Sequence, residues 1–244
     1  MTSTHSTFGL LAALFCAAIV VAVPARADTV KGNGVVKTQA RSVSGFTSVG
    51  LGLPARVEVR QGDTDSVTVE ADENLLPLIE TTVKRGTLEI RAAQRNLKLE
   101  SKTIKVVVQA RRIDGLEIGG TGTIVADQLR TTKLALEIGG AGAIEVKRVE
   151  AERIDVSIGG SGDVKLAGMA KRLEISIGGA GDITAPALMA DEVEVDIAGS
   201  GAAQVAARTK LDVTIAGAGS VIYTGDPVVK KTVIGSGRIT KSGG

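Results

Sequence analysis

The chain has 244 residues, with 29 Lys and Arg against 27 Asp and Glu, one His, one Cys and 2% aromatic residues. That balance gives no electrostatic footprint for nucleic acid. So few aromatics also leave little with which to stack sugars.

The chain opens on an apolar run from Gly9 to Val23. It is shorter than the roughly 20 apolar residues of a membrane-spanning helix. Pro24-Ala-Arg-Ala27 follows, and its small residues Ala25 and Ala27 form the small-x-small pattern of a signal-peptidase site. Residues 1–27 therefore read as an export signal cleaved before Asp28, although the segment before the run has no Lys or Arg. Cys16 follows Phe15, where a lipoprotein signal would carry a small residue, so lipid anchoring is not expected. The expected location is the periplasm, the outer surface or the medium, with no integral membrane segment in the mature chain.

Removing 27 of 244 residues leaves 217, with 28 of the 29 basic residues (Arg26 is lost) and all 27 acidic ones. His5, Cys16, Phe8 and Phe15 leave with the signal. A Ser-His-Asp triad, a Cys-His dyad and a His-ligated zinc are then excluded. So is a disulfide, although an exported protein could keep one. No cofactor, no metal site and no catalytic residue is expected.

Residues 28–42 read as a lead containing Gly32-Asn-Gly34. Residues 43–240 read as one domain, with an irregular half over 43–112, repeats over 113–240 and a tail at 241–244. Ala55–Arg60 alternates apolar and polar residues with the period of a strand, and Gln61–Asp65 is a turn. Ser66–Ala71 is a second strand. Asp72 is placed to cap a short helix over 72–80, disturbed at Pro77. Strands resume at Thr81–Lys84, Thr87–Arg91 and Thr103–Gln109.

From Ile118 a glycine signature recurs. Its copies are Ile118-Gly-Gly-Thr-Gly122, Ile138-Gly-Gly-Ala-Gly142, Ile158-Gly-Gly-Ser-Gly162 and Ile177-Gly-Gly-Ala-Gly181, then Ile197-Ala-Gly-Ser-Gly201 and Ile215-Ala-Gly-Ala-Gly219. A shorter copy, Ile234-Gly-Ser-Gly237, ends the series. The last glycines step by 20, 20, 19, 20, 18 and 18 residues, the period of a stacked repeat. Apolar columns stand at the Ile, two before it, six after it and eleven after it; the last comprises Leu129, Val149, Met169 and Leu188. The fold class is all-β, a right-handed parallel β-helix of about 18–20 residues per coil. A meander of hairpins is the competing geometry.

The glycines on either side of the small residue would form the corners: Gly120 and Gly122, Gly140 and Gly142, Gly160 and Gly162, Gly179 and Gly181, Gly199 and Gly201, Gly217 and Gly219, Gly235 and Gly237. A corner at Gly160 is expected to combine positive φ with crowding from Gly140 and Gly179. A dinucleotide fingerprint is rejected, because Gly140-Ala-Gly142 leads into a strand rather than a helix. Asp163 and Asp182 directly follow their glycines at about twice the period of a calcium β-roll, a poor match.

Asp155, Glu174, Glu194 and Asp212 align three residues before the signature Ile, and Lys133, Arg153, Arg172, Glu192 and Lys210 align two positions earlier. These charges read as a solvated, mutually neutralising mesh. The alternative is a carboxylate row that holds a hard cation or acts on a polysaccharide. Phe46 and Tyr223 read as core or cap residues rather than a sugar platform.

Val43-Ser-Gly-Phe-Thr-Ser-Val49, Ala55-Arg-Val-Glu-Val-Arg-Gln-Gly62, Val67-Thr-Val-Glu-Ala-Asp-Glu-Asn-Leu-Leu76 and Gly86-Thr-Leu-Glu-Ile90, with the reiterated Ile-Gly-Gly-x-Gly, resemble the head GIN domain family. That bacterial family of uncharacterised function is labelled "putative autotransporter adhesin head". The resemblance spans roughly Val43 to Thr224. It implies an exported β-helical protein with an adhesive or envelope-surface role, whose partner is an envelope or cell-surface component, a glycan among the candidates. It carries over no catalytic residues. Only seven residues follow Gly237, so a C-terminal barrel for self-secretion is not expected.

Overall fold

The computed structural model describes residues 28–243. The export signal expected over 1–27, with Ala25 and Ala27, lies outside the described residues. In chain order the first half contributes β1 (Asp28–Lys31), β2 (Val36–Arg41), β3 (Ser48–Leu51), β4 (Arg56–Gln61), β5 (Ser66–Asp72), β6 (Ile79–Lys84), β7 (Thr87–Ala92), β8 (Leu97–Glu100) and β9 (Lys105–Ala110). Alternation decides which face each strand buries: in β4, Val57 and Val59 are buried while Arg56 and Arg60 are exposed.

Two antiparallel arrangements close this end of the molecule. The first is the row β2–β5–β9 and the second the hairpin β6–β7. Arg85 and Gly86 turn the hairpin with φ of 49° and 82°, the two positive values that match a tight turn to the twist of its strands. β1 and β8 form a separate parallel ribbon. Over 72–80 the expected short helix reduces to one 3-10 turn, Leu76–Leu78, with Pro77 at its start. The chain returns to extended geometry at Ile79, whose side chain is buried at the head of β6. Asp72 does not cap this turn; its carboxylate accepts hydrogen bonds from Gly34 N–H at 2.7 Å and the Ser101 hydroxyl at 2.5 Å.

The repeats follow as β10 (Gly115–Ile118), β11 (Thr123–Ala126), β12 (Leu129–Ile138), β13 (Ala143–Ile158), β14 (Asp163–Ile177), β15 (Asp182–Gly199), β16 (Ala202–Gly217), β17 (Ser220–Thr224), β18 (Val228–Gly235) and β19 (Arg238–Lys241). Their mutual pairings are all parallel, from β10–β12 to β17–β19, so the coils stack as a β-solenoid and the hairpin meander does not describe them. β10 and β11 rest on β3 and β4, which seats the first coil on the antiparallel end. Ile118, Ile138, Ile158, Ile177, Ile197 and Ile215 stand in direct register, each at most 2% exposed. Burying a side chain of this size stabilises by about 1.5–3 kcal/mol, so the column is one of the fold's main supports.

Two members of the expected columns are displaced. Met169 is 58% exposed, and Gly168 occupies the position between Val149 and Leu188. The 19-residue coil drops its missing residue between Leu166 and Gly168, ahead of the column, which turns Met169 outward. Ile234 is 68% exposed, because the shortened last signature aligns it with Ala216 and places Val233 opposite Ile215. On that last coil Lys231 faces Val213, a fully buried position one coil earlier, and Lys241 faces Tyr223. Two lysines thus occupy core columns where the stack ends.

Candidate functional site

The signature Ile points inward, so residues one, three and five before it point outward from the same strand. The three-before column is in register through Asp155, Glu174, Glu194 and Asp212, and the five-before column through Lys133, Arg153, Arg172, Glu192 and Lys210. Parallel stacking places each side chain one strand spacing, about 4.8 Å, from its counterpart. Long arginines can therefore reach both their own coil and the next.

They do so in sequence. Lys133 Nζ lies 2.8 Å from Asp155, and Arg153 Nε lies 2.6 Å from the same carboxylate. The other end of Arg153 pairs with Glu174 on the following coil. Arg172 meets Glu174 at 2.6 Å, Glu192 at 3.2 Å and Glu194 at 2.8 Å. Lys230 closes the row on Asp212 at 3.2 Å. Burial by itself raises the Asp155 carboxyl; hydrogen bonds from Lys133 and Arg153, with their charges, outweigh it and hold Asp155 below its ordinary value. The Glu174 hydrogen bond and charge, followed by those of Glu194, raise Arg172. Every carboxylate named for this ladder is thus engaged by a cation, which disfavours capture of a free metal ion.

The column immediately before the Ile behaves differently, and the reasoning from sequence overlooked it. Glu117 and Glu137 stand in register there, with Ser157, Ser176 and Asp196 continuing the line. Burial raises the Glu117 carboxyl, and the charges acting on it are the carboxylates of Glu137 and Glu89. The same alignment on the signature Ile that exposed the other columns contains this signal; two like residues one period apart are where to look.

The corner glycines line one edge of this face. A Cβ on Gly140, Gly160, Gly179, Gly199, Gly217 or Gly235 would lie inside 3.0 Å of the carbonyl oxygen of the corner glycine one coil earlier. Gly142, Gly162, Gly181, Gly201, Gly219 and Gly237 press likewise on a carbonyl and on the methyl of the preceding signature Ile. Gly122 presses on Leu51 and the Leu53 carbonyl of the first half, whereas Gly120, with no earlier corner beneath it, has open space. Positive φ was expected at Gly160 but occurs at Gly199, Gly217 and Gly235; at Gly160 the constraint is crowding, and it comes from the Gly140 side. Asp163 and Asp182 stack directly, and Asp182 accepts the Ala202 N–H at 3.1 Å. Phe46 is 3% and Tyr223 7% exposed, so neither offers a face to a sugar.

The family model described as "Putative auto-transporter adhesin, head GIN domain" matches residues 45–227. A structure from Bacteroides fragilis, described as a putative adhesin, is 25% identical and covers 87% of this chain and 100% of its own, with a TM-score of 0.83. One from Parabacteroides distasonis, described as a putative lipid binding protein, is 25% identical over 88% of this chain and 100% of its own, at 0.76. A third, a putative adhesin from Parabacteroides merdae, shares the fold at 24% identity, covering 89% and 100%, with a TM-score of 0.71. No curated protein matches the chain.

Proposed function

The chain belongs to the head GIN domain family, and from that premise we propose that it is an exported, non-enzymatic solenoid presenting a repetitive face to an envelope or cell-surface component. The observation that carries this reading is the ladder itself. From Lys133 to Lys230 the outward acids and bases neutralise one another across coils, leaving an evenly spaced row of paired charges. Such a surface suits many weak, regularly repeated contacts.

Among the described residues no helix is long and apolar enough to cross a membrane. Residues 1–27 would direct export by cleavage after Ala27. Amino-terminal sequencing of the protein recovered outside the cytoplasm should begin at Asp28, and a start upstream of Leu10 would end that part of the reading. The partner is sought by capture from the cell envelope with the wild-type protein and with Arg172→Glu. Retained capture by the variant would show that the ladder is not the binding face. In the second reading, acidic ladders bind or cleave a glycan. Glycan-array binding lost in Glu174→Gln/Glu194→Gln would favour it, but the engagement of both carboxylates by Arg172 weighs against it.

A further inference from the structure

The ribbon of β1 and β8, the chain from Gly32 to Val36, and Pro54 line a cleft of about 790 Å³ at the antiparallel end of the molecule, away from the repeats. Volumes of 300–1,000 Å³ are typical of small-molecule sites. The wall of this cleft is fixed by a set of polar contacts around the buried Asp72. Asp72, 5% exposed, holds the Gly34 N–H and the Ser101 hydroxyl. Asn74 accepts from the Asn33 N–H at 3.0 Å and donates to the Lys31 carbonyl at 2.8 Å. Gly32 donates to the Glu100 carbonyl at 2.9 Å, and a Cβ at Gly32 would collide with the Asp72 carboxylate. A wall tied at this many points is formed before any ligand arrives, which lowers the ordering cost of binding.

The lining combines two kinds of surface. Val36, 47% exposed, and Pro54 supply the apolar area, over a floor formed by the buried Leu99. Lys31, Lys98 and Lys102 supply positive charge. The two carboxylates of the cleft are already engaged: Asp72 by the wall, and Glu100 by Lys98 at 3.0 Å. Among the described residues Lys31 and Lys102 form no ion pair, although the Lys31 charge also acts on Glu100, its partner in strand register, so Lys102 is the freer of the two ammonium groups offered to an incoming anion. Uncovered apolar surface beside unpaired cations fits a molecule with the same two parts in opposite sign.

We propose that this cleft binds a single-chain anionic amphiphile of the fatty-acid class, its carboxylate met by Lys31 and Lys102 and its alkyl chain laid along Val36 and Pro54. The site is independent of the ladder face, so its failure would leave the proposed display function intact.

Titration calorimetry of the purified protein tests it with three twelve-carbon probes below their micelle or solubility limits: dodecanoate, dodecanol and dodecyltrimethylammonium. Dodecanoate should bind one to one, at least tenfold more tightly than either of the others. Lys31→Gln/Lys102→Gln, two exposed positions, should weaken dodecanoate at least tenfold with an unchanged melting temperature. Val36→Ser should weaken dodecanoate while leaving the preference for a carboxylate head. Lys147→Gln/Lys165→Gln on the repeats should leave binding unchanged. Equal affinity for all three probes, undiminished binding by the Lys31/Lys102 variant, acetate binding as tightly as dodecanoate, or no binding at all would each overturn the proposal.

Discussion

A Cβ placed on Gly162 would stand 2.6 Å from the carbonyl oxygen of Gly142, one coil below, and as close to the Ile138 methyl. The backbone carbonyl cannot retreat without disturbing the hydrogen bond that Asp163 donates to it at 3.0 Å. Gly162→Ala should therefore cost about 2–4 kcal/mol from overpacking against a fixed neighbour. Gly159, three residues away in the same signature, has its nearest neighbour at 3.9 Å. Gly159→Ala should fall within about 0.5 kcal/mol of wild type. Urea melts of the two variants provide the comparison, and equal midpoints would refute the crowding argument.

Gly168 adds a backbone constraint to the crowding seen at Gly162. Its φ is +131°, and a Cβ would press on the Val149 backbone inside 3.0 Å. Strain and overpacking together should make Gly168→Ala cost about 3 kcal/mol or more. Met169→Gln beside it should be tolerated, since that side chain is 58% exposed. A Gly168→Ala midpoint within error of wild type would mean that this coil can return to a regular register.

Glu117 and Asp155 should respond to pH in opposite senses. Glu117 is raised in the folded state, so its ionisation opposes folding. The stability present below its unfolded pKa is lost as pH rises through the folded one. Glu117→Gln should therefore stabilise the protein by about 0.5 kcal/mol at neutral pH, a modest effect because the side chain is only partly desolvated and solvent screens it, and should change nothing at low pH. Asp155 is lowered, so its contribution is present above its unfolded pKa and is lost as pH falls through the folded one. Asp155→Asn should cost stability at neutral pH and converge with wild type in acid. Thermal midpoints collected across the acid range would reveal both trends, and parallel curves for the two variants would contradict the assignment.

The lysines on the last coil should keep that open end from pairing with another chain. Lys231 faces Val213 and lies 5.8 Å from the centre of the Tyr223 ring, and Lys241 faces Tyr223 and pairs with Asp226 at 2.6 Å. Charges turned inward on an edge strand are a recurrent guard against strand addition. Lys231→Val/Lys241→Val should self-associate with rising concentration in sedimentation velocity, while Lys165→Val, altered on an ordinary outward position, should behave as wild type. A variant that sediments as the parent does at every concentration would remove the guarding role.

Much of the solenoid was legible because its code is short. One Ile, one apolar position two residues before it and one six after it repeat with little variation, and stacking turns each repeat into a column. Displacements arose where coil length changed. A 19-residue coil can lose its residue before or after the eleventh position; here it is lost before, which sets Gly168 opposite Val149, and a sequence pattern carries no record of that choice. Ile234 kept its letter but lost its place when one residue was deleted from its corner. The first half was less readable because its pairings, such as β2 with β5 and β4 with β9, follow no period. At the ladder the pattern showed which charges align, but only coordinates show that Arg172 spans to the next coil while Glu117 faces another carboxylate. The cleft beside Asp72 combines residues some 70 positions apart, and no local spacing announces it.

Because each coil is held by its immediate neighbours alone, the molecule's length is a separable variable. Excising residues 143–162 would bring Ile138 onto the strand that Ile158 had seated, with glycine meeting glycine and isoleucine meeting isoleucine. Duplication would work equally well in the other direction. The antiparallel base and the lysine-tipped last coil would be untouched by either change. Reach would change by whole steps of one strand spacing, with the fold otherwise kept.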